Sequence, residues 1–243
     1  MLRRFFAGML LLGAATAPVY AEMLTFNFTG RVDYIFEYEK ATEQFTHPLS
    51  SNMSGQTFLT HDTFHGQLTY DLATALSPYY QPPEQAQGSY VVYYSAQSTP
   101  PLVSATFDQT GVLLAWANRP FLIQLSDSAT AFAGYDRIYF QPWIENSPVY
   151  FQSFELSLAD SKGTAFSNNL LPADFNLADF TESNLHYAWL DQATGNQFHV
   201  NGVLTSMTLV GASAVPEPAS SALVLLGVGM LVVAVRRRAP SRS

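Results

Sequence analysis

From Phe26 to Tyr38 the chain alternates, with Phe26, Phe28, Gly30, Val32, Tyr34, Phe36 and Tyr38 at even positions and Asn27, Thr29, Arg31, Asp33, Ile35 and Glu37 at odd ones. Successive side chains of a strand point to opposite faces, so this period predicts a long strand, or a bent strand pair, with the even residues buried. Shorter runs rich in Phe, Tyr, Val and Thr follow at 64–70, 90–95, 102–107, 121–125, 137–140, 150–159, 185–190 and 198–209. Between them stand turn-forming clusters such as Pro82-Pro83, Pro100-Pro101, Asn118-Arg119-Pro120, Ser161-Lys162-Gly163 and Thr194-Gly195-Asn196. No amphipathic helix of ten residues interrupts them, and one short helical turn is expected near Ala173 to Thr181. The pattern predicts an all-β domain, an antiparallel β-sandwich of jelly-roll-like type, over residues 22–214.

The two ends of the chain have a different pattern. Arg3 and Arg4, an apolar run from Phe5 to Ala15 and the small-x-small triplet Val19-Tyr20-Ala21 form a secretory leader over residues 1–21. Such a leader implies the Sec translocon and a signal peptidase as partners. Ala219 to Val235 is uncharged, rich in Leu and Val, and followed by Arg236, Arg237 and Arg238. As a helix it spans ~26 Å, enough for one transmembrane crossing of a bacterial inner membrane, with the arginines and residues 239–243 in the cytoplasm.

Removing the ends changes the charge. Residues 22–214 carry 18 Asp and Glu against five Lys and Arg, a net charge of −13 where the whole chain has −8. So acidic a surface excludes nucleic acid as a natural partner. The chain has no cysteine, so core packing alone holds the exported domain together and no thiolate chemistry is available.

Immediately before the apolar segment stand Val215, Pro216, Glu217 and Pro218. The order VPEP, apolar helix, arginine cluster resembles the PEP-CTERM sorting tail of Gram-negative bacteria that make extracellular polysaccharide, and the resemblance covers 215–238. It implies recognition by an exosortase, a membrane enzyme that cuts at or near the Pro-Glu-Pro element, with Val215 to Pro218 as recognition residues. Independently, two prolines lock φ and withhold backbone donors, which predicts an extended segment open to a protease. A plain membrane anchor with a proline-containing stalk is the alternative. DTFHGQLTYD (62–71), FDQTG (107–111), LPADFNLADF (171–180) and VNGVLTSMTLV (200–210) are similar to patterns found in domains bearing such tails. His61 stands where the first pattern has glycine. The character of these patterns is structural, with Gly66 and Gly202 suited to bulges or close strand crossings.

Candidate chemistry is sparse. His61 and His65 in HDTFH have the spacing of a zinc-protease motif, which works only on a helix, whereas strand parity sets them about 13 Å apart, and no shared metal is expected. The five histidines, scattered at 47, 61, 65, 186 and 199, fit surface strand positions as easily as a catalytic triad. No G-x-S-x-G elbow occurs. Asp33, Glu37 and Glu39 share one strand face, read as a solvated face rather than a calcium loop. Asp174, Asp179 and Glu182 are a candidate carboxylate set for glycoside hydrolysis, but proximity in sequence sets no spacing. The expectation is therefore a non-enzymatic protein without cofactor, passing through the inner membrane to the cell surface or extracellular matrix. A carbohydrate-binding module for exopolysaccharide is the alternative. Its candidate sugar contacts are Tyr79 and Tyr80 in a proline-stiffened loop, while Trp189, alternating with Leu185 and Tyr187, is expected to be buried.

Overall fold

The computed structural model describes residues 21–76, 89–95, 100–127, 134–142, 145–168 and 170–215. Its compact unit runs from Met23 to Ala212; a second unit comprises Met1–Glu22 with Ser213–Ser243. The first strands are β1 (Ala21–Glu39), β2 (Gln44–Thr46), β3 (Ser50–Ser51), β4 (Phe58–Leu59) and β5 (Thr63–Asp71). Next come β6 (Ser89–Ser95), β7 (Val103–Phe107), β8 (Leu113–Ala115), β9 (Phe121–Asp127), β10 (Asp136–Pro142) and β11 (Glu145–Asn146). β12 (Tyr150–Asp160), a 3-10 turn at Leu177–Asp179, β13 (Glu182–Asp191) and β14 (Gln197–Val215) complete the series. Every run expected from periodicity falls on a strand, and the helical turn lies inside the expected window. The strands that periodicity missed are two or three residues long, too short to display a period.

Among the described residues twelve strands form one sheet along the path β6-β9-β10-β12-β13-β14-β1-β5-β7-β8, with β11 on β12 and β2 on β1, while β3 and β4 make a separate ribbon. The sheet doubles back so that its two halves face each other. Tyr70 of β5 stacks on Phe140 of β10 at 5.5 Å, and Trp116, just after β8, meets Phe154 of β12 at 5.6 Å. Phe58 of the ribbon touches Phe107 of β7 at 5.1 Å and Tyr187 and Phe198 of β13 and β14 at 5.4 Å each. The described residues are thus all-β, antiparallel and sandwich-like. The layers are two parts of one hydrogen-bonded sheet, whereas a jelly roll has two separate sheets.

Glycines make room for this aromatic core. Phe64 of β5 lies across Gly30 of β1 and Gly202 of β14, and Phe28 lies over Gly66, so a Cβ at any of the three glycines would overlap a ring. Gly66 and Gly202 therefore mark close approach of a ring to backbone rather than a bulge or a strand crossing. The family-like segments have matching structural work. Tyr70 donates its hydroxyl to the Pro172 carbonyl, and Phe175 packs edge-on against Phe26 and Phe140, so LPADFNLADF closes one end of the core. Asp62, fully buried, accepts the Gln109 backbone N–H at 3.0 Å and ties FDQTG to the start of β5.

One expectation fails within β1. Val32 and Ile35 are both buried while Asp33 and Tyr34 between them are exposed, so the strand inserts one residue and its parity reverses. The change occurs where β1 exchanges partners: the ladder with β5 ends at Arg31 opposite Thr63, and from Glu37 onward the strand pairs with β2. Ile35 turns inward, and Tyr34, Phe36 and Tyr38, expected in the core, turn outward. For the same reason Asp33, Glu37 and Glu39 do not share a face. Glu37 accepts the hydroxyl of buried Ser51, and Asp33 points to solvent.

Candidate functional site

The HDTFH segment is not helical. His65 lies on the outer side of β5, where its Nδ1 sits 2.7 Å from Asp108 Oδ1. Asp108 also accepts the Thr63 hydroxyl at 2.5 Å, and these two contacts, Thr63 first, hold its carboxyl below the usual carboxylate range. His61 precedes the strand in a turn, with φ of 69°. The left-handed conformation explains why related patterns place glycine there. Among the described residues no group of three or more His, Asp or Glu is arranged to hold a metal ion.

The carboxylates considered for hydrolysis have separate local partners. Asp174 Oδ1 accepts the Phe175 backbone N–H at 2.8 Å, and Asp179 receives the Asn176 side-chain amide at 3.3 Å. Glu182 opens β13. Trp189 is half-buried against the core.

The reversal in β1 assembles a group of side chains that linear reading kept apart. On the outer face, Phe45 of β2 stacks on Tyr38 at 4.6 Å and lies 5.4 Å from Phe36. His47 packs against Phe36 and Tyr34 at 5.7 and 5.9 Å. Phe36 then meets His199 of β14 at 5.4 Å, and His199 stacks on His186 of β13 with 3.1 Å between Nδ1 and Nε2, so that one imidazole donates to the other. His186 Nδ1 faces Glu155 of β12 at 3.7 Å. Beyond Glu155, on β10, Arg137 lies over the Tyr139 ring at 5.0 Å.

Register accounts for this row. His186 is directly opposite Glu155 in the β12–β13 ladder, and His199 is diagonal to His186 in the β13–β14 ladder, where it faces Ala188. Side chains on one face of neighbouring strands lie within contact range of each other. Three of the chain's five histidines converge here, although they are scattered at 47, 186 and 199.

Burial first, and His199 second, push the His186 imidazole down to about 4, and burial lowers His199 as well. Burial raises the Glu155 carboxyl, opposed by the Arg137 charge. A useful signal in the sequence was Ile35, the single apolar residue at an odd position in an otherwise even alternation.

Of the residues expected to act in sorting, Val215 is the last residue of β14. Pro216, Glu217 and Pro218, the span 219–235 and Arg236 to Arg238 lie outside the described residues, as do Tyr79, Tyr80 and the leader. Among the described residues no helix is long and apolar enough to cross a membrane. The fold and the tail define an all-β domain followed by a sorting signal. Residues 214–238 match the family model described as the PEP-CTERM protein-sorting motif, so the chain carries an exosortase-directed tail. No curated protein matches the chain, and no solved structure does.

Proposed function

We propose that this is an exported, non-enzymatic surface or extracellular-matrix protein, held in the inner membrane by 219–235 until an exosortase cuts at or near Val215 to Pro218. The motif match at 214–238 carries the reading. The domain supplies a disulfide-free, aromatic-rich scaffold, and the tail supplies the address. Pro216 and Pro218 have no backbone N–H to donate to a ladder, which supports reading this segment as a site for a membrane enzyme.

The test is replacement of Glu217 by Ala, with fractionation of the cells and mass spectrometry of the chain's C-terminus. The wild-type chain is expected outside the cell ending near Pro216 to Pro218, and the variant full-length in the inner membrane. Wild-type chain that keeps residues 219–243 and stays in the membrane would identify a permanent anchor instead.

A further inference from the structure

We propose that the outer-face row from Phe45 to Tyr139 binds an uncharged polysaccharide. The row crosses six strands, β2, β1, β14, β13, β12 and β10, which at ~4.8 Å between strands makes a track ~24 Å long. One end is an open aromatic platform, with Phe45 65 % and Tyr34 43 % exposed. Large rings are left in water here although ten phenylalanines among the described residues are buried in the core. The remainder is a row of polar side chains, His47, His199, His186, Glu155 and Tyr139, in which His199 and Glu155 take up both nitrogens of His186 and the Ile35 carbonyl takes up His47 Nδ1.

A sugar ring has an apolar face of C–H groups and a rim of hydroxyls, so it needs a flat ring to lie on and donors and acceptors beside it. A neutral imidazole donates from one nitrogen and accepts at the other, and on His47 and His199 the Nε2 atom lies outside the contacts just named and suits the second role.

Charge selects the class of polymer. The domain's net charge of −13 opposes acidic polysaccharides and nucleic acids. Of the carboxylates near the platform, Glu37 accepts from Ser51, Glu39 accepts from the Thr42 hydroxyl at 2.8 Å, Glu43 faces Lys40 at 3.9 Å, and Asp33 is exposed beside Tyr34. Glu155 faces Arg137 and His186. With Glu155 set against Arg137, the row itself carries no cluster of like charge and fits a neutral chain. The inference rests on the surface-protein reading only for where such a polymer is met, and the binding assay does not depend on sorting.

The test uses the full chain in a non-glycosidic detergent, titrated with laminarihexaose, cellohexaose and mannohexaose, with hyaluronan and chitosan oligosaccharides as anionic and cationic comparisons. At least one neutral hexasaccharide is expected to bind. Phe45→Ala and His199→Ala should each weaken it by roughly three- to tenfold, as for the loss of one ring contact. Phe45 is exposed, so its variant is expected to keep the wild-type fold, checked by circular dichroism. Binding by none of the neutral sugars, binding by hyaluronan or chitosan alone, or neutral binding untouched by both substitutions would overturn the proposal. So would self-association of the chain abolished by Phe45→Ala, which would make the platform a contact between copies. Failure of Glu217→Ala to block release leaves this result unaffected, so the two readings fail separately.

Discussion

Two aromatic clusters of similar composition lie on opposite faces of the same sheet. The inner one, built on Phe26, Tyr70, Phe140 and Phe175 at one end and Phe58, Phe107, Tyr187 and Phe198 at the other, is almost wholly withdrawn from water. The outer one, built on Tyr34, Phe36, Tyr38, Phe45 and three imidazoles, is half open. On the inner face glycines leave room for the Phe28 and Phe64 rings against backbone, and the hydroxyl of Tyr70 finds a carbonyl. In the outer cluster the rings are interleaved with side chains that hydrogen-bond. Burial of a ring contributes about 1.5–3 kcal/mol, so the inner cluster is accounted for by stability alone. Rings left in water forgo that gain, and the outer cluster calls for another explanation.

Four measurements would break or sharpen the contrast. Phe58→Ala should cost about 3–5 kcal/mol in urea unfolding, since the ring is fully buried and meets three others. A cost below 1 kcal/mol would mean the inner cluster is loosely packed.

The second concerns pH. His186 titrates at about 4 in the folded chain against 6.5 when unfolded, so between those values the unfolded state binds the extra proton. Stability is therefore full above pH 6.5 and falls as the pH drops toward 4, by on the order of 2 kcal/mol for this group. His186→Asn should flatten that part of the profile. An unchanged slope would place the acid sensitivity elsewhere.

Third, His61→Gly should stabilise the chain by about 0.5–1 kcal/mol, because glycine adopts the positive φ of that turn without strain. A loss of stability would show that the imidazole has a role the turn does not reveal. Smallest of all, Phe45→Ala should change stability by under about 0.5 kcal/mol, as for exposed positions in general. Equal costs for Phe45 and Phe58 would erase the distinction between the faces.

Much of this architecture was legible from one dimension. Alternation located the long strands, because one buried face stamps a period of two on any strand that has it. The order VPEP, apolar span and arginines identified the sorting tail, because that signal is read from contiguous residues and needs no fold. His65 was placed on the polar side of β5 by the same parity. What failed did so locally. The alternation through Tyr34, Phe36 and Tyr38 was treated as one register, but a strand that exchanges β5 for β2 as partner must bend, and an inserted residue is how a strand bends.

Composition, strand positions and the sorting motif were determined by the sequence itself, each by residues adjacent or alternating along the chain. Tertiary structure alone decided that the two layers are one sheet, that Phe64 lies across two glycines from different strands, and that His47, His186 and His199 join Phe36 in one row. Those facts depend on the register between strands far apart in sequence, which no local pattern encodes. A one-residue shift of register exchanges the two faces of a strand, and in β1 that shift, at Asp33 and Tyr34, separates a core from a surface.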